Sequence, residues 1–78
     1  MLTAVMSIEE KTYIEKLLDE RRWTIDRLAR EAEMSYSQTH DIVTKGFKPG
    51  TRLGNIEKLA EALGVPVVDL LDNHIRQE

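Results

Sequence analysis

Ser37, His40 and Asp41 bring a hydroxyl, an imidazole and a carboxylate close together in the chain, the residue types that a nucleophile, its base and an orienting acid require. Helical spacing sets Ser37 beside both of the others. The segment offers no oxyanion site, no cleft and no dry surroundings, so catalysis is not expected and the chain is read as a non-enzyme. His40 and His74 fall on different helices without companion ligands, and no metal site is expected. Gly46 and Gly50 are turn residues rather than a phosphate-cradling loop, so no cofactor is implied. A second chemistry remains. Tyr36, Ser37, His40 and Asp41 form a solvent-facing row of hydrogen-bonding side chains, suited to reading donors and acceptors on another molecule.

Such a row needs a rigid helix beneath it. Ile25, Leu28, Ala29 and Ala32 recur at i, i+3, i+4 and i+7, one stripe of a 3.6-residue period, with Asp26, Arg27, Arg30 and Glu31 elsewhere. Thr24 precedes the stripe and can cap it, although Arg27 cannot complete a capping box. The periodicity breaks at Glu33, Met34 can pack back into the gap, and Ser35 caps a second helix anchored by Ile42 and Val43. Upstream, Ser7-Ile8-Glu9-Glu10 reads as a capping box that opens a first helix, with Ile14, Leu17 and Leu18 as its buried stripe. Residues 1–6 read as a flexible N-terminal arm and 7–76 as a single domain. Trp23 is expected to pack over the core edge. Downstream, Gly46-Phe47-Lys48-Pro49-Gly50 is a turn-rich loop with Phe47 as an anchor. A fourth helix starts near Thr51, its inner face formed by Leu53, Ile56, Leu59, Ala60 and Leu63, and Gly64 is the left-handed stop. A fifth helix is expected from about Pro66 to Ile75, with Val67, Leu70 and Leu71 serving the core and Val68 and Ile75 left over.

The stretch from Trp23 to Leu71 resembles the lambda-repressor and Cro-like (XRE-type) helix-turn-helix family. The resemblance rests on Thr24, Leu28-Ala29, Ala32, Met34-Ser35, Ile42, Lys58-Leu59-Ala60, Ala62-Leu63-Gly64-Val65 and Asp69-Leu70-Leu71, in that order. It covers about two thirds of the chain and implies a compact all-α domain of five helices, the helix-turn-helix lying at helices 2 and 3. Three positions depart from the family pattern. Glu33 stands where glycine is usual in the turn, Thr39 replaces a usually aliphatic core residue, and the loop from Lys45 to Thr51 is longer than usual. A non-glycine residue at positive φ costs about 1 kcal/mol. The Thr39 hydroxyl needs a partner, most simply the carbonyl of residue 35.

The resemblance also implies a site. Tyr36, Ser37 and Asp41 would face bases in the major groove of duplex DNA, Asp41 accepting from cytosine N4, and Gln38 could read adenine where it faces outward. Phosphates would be met by Ser35, by the first N–H groups after Thr24, including that of Ile25, and by Lys45, Lys48 and Arg52. Val68 and Ile75 would form a two-fold homodimer interface, matching a near-palindromic operator. The implied function is sequence-specific transcription regulation, more often by repression, because so short a chain has no room for a sensing domain. The alternative is a protein-interaction module, an adaptor or antitoxin-type partner, that kept the scaffold and lost DNA binding.

Charge bears on that choice. Eleven basic and fourteen acidic side chains give −3 over 78 residues, whereas DNA binders are commonly basic. Residues 21–52, however, hold seven basic against four acidic side chains, a local +3, while residues 1–20 and 53–78 each carry −3. At a Debye length of about 8 Å the local balance governs phosphate contact. There is no cysteine, so no disulfide framework exists, and a reducing cytoplasm is the expected compartment. No segment approaches the apolar length of a membrane span. A chain of this size holds one modest core, which dimerisation would reinforce.

Overall fold

The computed structural model describes residues 11–75. Five helices follow one another: α1 (Tyr13–Arg21), α2 (Ile25–Ala32), α3 (Tyr36–Lys45), α4 (Leu53–Leu63) and α5 (Val67–Asn73). An isolated parallel bridge between Phe47 and Ile75 is the only β pairing among the described residues. The architecture is all-α, with the helix-turn-helix at α2 and α3 as the spacing implies.

Helix α1 starts later than expected. Thr12 is its N-cap, in extended backbone (φ −69°, ψ 166°), and forms a complete capping box with Glu15. The Thr12 hydroxyl accepts the Glu15 N–H at 3.1 Å, and the Glu15 carboxylate accepts the Thr12 N–H at 2.8 Å. Each bond satisfies a donor that the helix start would otherwise orphan. The Ser7–Glu10 box and the N-terminal arm lie outside the described residues.

Three of the helices end in the same way. Arg22, Glu33 and Gly64 adopt the left-handed conformation (φ 57°, 59° and 73°), and the following N–H reaches back five residues in each case: Trp23 to Leu18, Met34 to Ala29, Val65 to Ala60, at 2.9–3.0 Å. This is the Schellman closure, which satisfies orphan carbonyls and turns an apolar residue back onto the core. Trp23, Met34 and Val65 pack against it accordingly. Only one of the three positions is glycine. Arg22 and Glu33 each accept a strain of about 1 kcal/mol to make their turns.

The core comes from every helix: Ile14, Leu17 and Leu18 from α1, Leu28 and Ala32 from α2, Ile42 and Val43 from α3, Ile56, Leu59, Ala60 and Leu63 from α4, and Leu70 from α5, with Phe47 from the loop. Arg21 ties two helix ends together, donating to the Leu63 carbonyl at 2.7 Å and to the Leu17 carbonyl at 3.2 Å. Two expected core residues lie outside. Leu53 is 55% and Leu71 42% exposed, because the apolar stripes of α4 and α5 are wider than the neighbours that cover them. Helix α4 begins after Arg52 rather than at Thr51, whose hydroxyl instead accepts the Lys48 N–H at 3.0 Å and closes the loop. Pro66 is the N-cap of α5 (φ −65°, ψ 145°), and α5 stops at Asn73, short of Ile75.

Candidate nucleic-acid interface

Helix α3 is held from below and open above. Thr39, Ile42 and Val43 are its buried residues, and the Thr39 hydroxyl donates to the Ser35 carbonyl at 2.8 Å, the partner its burial demands. Opposite these three, at 100° per residue, lie Ser37, Asp41 and Thr44. Tyr36, Ser37 and Gln38 on the first turn are all exposed. Gln38 thus faces solvent. The Tyr36 ring sits 5.7 Å from that of His40, one turn on, so the first turn presents an aromatic pair on one flank and an amide on the other.

Asp41 is placed differently from the first-turn residues. It is half-buried, and its carboxylate forms an ion pair with Lys45 at 3.1 Å. The resemblance implies separate tasks for these residues, one for bases and one for phosphates; the structure joins them. Their i, i+4 spacing was the available signal. Thr44 turns its hydroxyl inward to the His40 carbonyl at 2.8 Å.

The helix starts supply the backbone donors. Ser35 caps α3, accepting the Gln38 N–H at 3.2 Å, and Thr24 caps α2, accepting the Arg27 N–H at 3.1 Å. Helix geometry leaves the N–H groups of Ile25 and Asp26 without intrahelical acceptors. The Ile25 side chain packs against the core, so that residue offers its backbone only.

The basic side chains of α2 differ in their pairing from those that follow α3. On α2, Arg27 pairs with Glu31 at 3.5 Å and lies over the Trp23 ring at 4.5 Å, while Arg30 pairs with Asp26 at 3.3 Å. These charges largely cancel within the helix. Lys48 and Arg52 are exposed, and no ion pair joins either to an acid among the described residues. Lys48 and Arg52 thus place two exposed positive charges in the segment that follows α3, while Lys16, Arg22 and Lys58 are exposed on other elements.

A buried histidine supports this loop, and local sequence gave no hint of it. His74 is 1% exposed. Its Nε2 donates to the Ile42 carbonyl at 2.7 Å, and its Nδ1 accepts the Ile14 N–H at 3.3 Å, an arrangement only the neutral Nε2–H tautomer allows. The Phe47 N–H donates to the His74 carbonyl at 2.8 Å, and the two rings meet edge to face at 4.9 Å. Burial lowers the His74 pKa below 6.5, against smaller opposing effects of the Ile42 carbonyl and the Glu15 carboxylate. Among the described residues no group of three or more His, Cys, Asp or Glu could hold a metal ion, and no helix is long and apolar enough to cross a membrane.

A capped helix with an exposed leading turn, set on a second helix through a left-handed corner, defines a helix-turn-helix domain. The Cro/C1-type HTH DNA-binding domain family matches residues 13–73, which span all five helices. The chain belongs to that family, one of DNA-binding regulators. Comparison with curated proteins and with solved structures gave no significant match.

Proposed function

We propose that this chain is a sequence-specific regulator that binds duplex DNA as a homodimer on a near-palindromic operator and represses by occluding a promoter. Tyr36, Ser37 and Gln38 read base edges, with Asp41 contributing through the ion pair it shares with Lys45. Ser35, the N–H groups after Thr24 and at Ile25, and Lys45, Lys48 and Arg52 contact phosphates. The observation that carries this reading is the exposed first turn of α3, with the exposed charges of Lys48 and Arg52 in the segment after its last turn. Selection of bound fragments from random duplex DNA at two salt concentrations tests it. A two-fold symmetric motif is the expected result, and recovery of unenriched sequence would reject specific recognition. The protein-interaction alternative draws on the net charge of −3, and the Asp41 carboxylate lends it less support once paired with Lys45.

The proposed dimer uses α5. Val68 and Leu71, 55% and 42% exposed, share a face of α5, and Ile75, 56% exposed, follows the end of the helix. A second copy meeting this stripe across a two-fold axis would cover it and set two α3 helices in register with successive half-sites. The double variant Val68→Glu, Ile75→Glu is therefore expected to sediment as a folded monomer where the unmodified chain is a dimer. A variant that stays dimeric would move the interface elsewhere.

A further inference from the structure

We infer that His74 is a positioning residue for DNA binding: it locks the C-terminal half of α3, and with it the Lys48 loop, against the start of α1. The inference rests on the reading of α3 and Lys48 given above.

The last turn of a helix leaves carbonyls without intrahelical donors. In α3 the Ile42 carbonyl takes the Gly46 N–H at 2.9 Å and the His74 ring at 2.7 Å, and the Val43 carbonyl takes the Thr12 hydroxyl at 2.7 Å. Both outside donors come from elements remote in sequence. The His74 ring also satisfies the Ile14 N–H, at the second position of α1, so one side chain closes the start of one helix and the end of another. Its backbone extends the same lock. The His74 carbonyl receives the Phe47 N–H, and the next residue forms the bridge between Ile75 and Phe47. Lys48 follows directly on that anchored residue. A buried imidazole that donates at one nitrogen and accepts at the other joins these elements in a way that no apolar side chain can.

Protonation would turn the acceptor into a donor facing the Ile14 N–H. Of the charged groups around the ring, Glu15 on α1 favours the proton, and Lys16 on α1, Lys11 before it and Lys45 on α3 line the adjoining groove with Tyr13. Because the folded pKa lies below the unfolded value, the lock is complete above about pH 6.5 and weakens as pH falls below it.

The test compares His74→Gln, which keeps one donor and one acceptor, with His74→Leu, which keeps neither. His40→Ala controls for the other histidine. Amide exchange in the free protein is measured at Ile14, Gly46, Phe47 and Lys48, and affinity for a random-sequence duplex pool is measured from about pH 7.5 to about pH 5.5. His74→Leu is expected to lose exchange protection at these amides and to bind about tenfold more weakly, with His74→Gln restoring most of both. The unmodified chain should show a decline in affinity toward acid that His74→Gln lacks, and the profile of His40→Ala gives the share carried by the exposed histidine. Unchanged protection in His74→Leu overturns the inference. If that variant does not fold, identical pH profiles for the unmodified chain and His74→Gln overturn it instead. Should the unmodified chain bind no duplex at all, the functional reading fails, while the exchange data still decide the role of His74.

Discussion

Leu59→Ala is expected to leave most of the population unfolded under mild conditions. The side chain is fully buried at the heart of α4, among the fully buried Ile14, Leu28, Val43 and Leu70. Truncation there removes both the transfer free energy and the contacts of a packed site, together about 2–5 kcal/mol. A single core of this size supplies about 3–5 kcal/mol of net stability, so the loss is comparable with the whole. Leu53→Ala, the same change in the same helix, removes a side chain that is 55% exposed and should shift stability by no more than about 0.5 kcal/mol. Urea unfolding followed by far-ultraviolet circular dichroism measures both. Equal effects would contradict the packing of α4.

The contrast between these leucines shows where sequence reading stops. Periodicity assigns Leu53 and Leu59 to one stripe, because spacing reports the direction of a side chain and not whether a neighbour reaches it. The same limit explains Leu71. For α2 and α3 the stripe is matched by what covers it, and Leu28, Ala29, Ala32, Ile42 and Val43 are buried as their spacing requires. The Glu33 turn and the partner of the Thr39 hydroxyl were also legible, since both follow from bonds within a few residues. Helix α1 was ambiguous for a different reason. Ser7 with Glu10 and Thr12 with Glu15 both fit the capping-box pattern, and only the extended backbone of Thr12 places the cap. His74 was out of reach altogether. Its ring partners lie 60 and 32 residues away, and nothing in local composition marks a histidine that will join three remote segments.

The candidate interface divides along similar lines. The exposed first turn of α3 follows from its apolar anchors, so Tyr36 and Ser37 could be named from sequence. The local charge of +3 was read correctly as a sum but not as a distribution. Pairing of Arg27 with Glu31, Arg30 with Asp26 and Lys45 with Asp41 takes up three charges of each sign and leaves the +3 on Arg21, Arg22, Lys48 and Arg52, less Glu33. Of these, Lys48 and Arg52 lie in the segment that follows α3.

That distribution sets the largest expected change in DNA affinity. Lys48→Ala, Arg52→Ala is expected to flatten the dependence of log K on log salt by about 1.8 units, since each phosphate neutralised contributes about 0.9. Referred to a standard state of about 1 M salt, 1.8 units correspond to about a 30-fold loss of affinity near 0.15 M. The loss should be nearly the same for every duplex sequence, because phosphate contacts carry no base information. Stability should change little, as both side chains are exposed and neither caps a helix through its side chain. Lys45→Ala provides the internal comparison. Its ammonium is shared with Asp41 at 3.1 Å, so it has less charge to offer a phosphate, and its removal should flatten the slope by less than either of the other two. Titrations of the unmodified chain, the double variant and the single Lys45→Ala, Lys48→Ala and Arg52→Ala variants against several duplexes at several salt concentrations separate these outcomes. A slope unmoved by the double change would place the phosphate clamp elsewhere, and a larger effect from Lys45 than from Lys48 would mean that the Asp41 pair opens when DNA arrives.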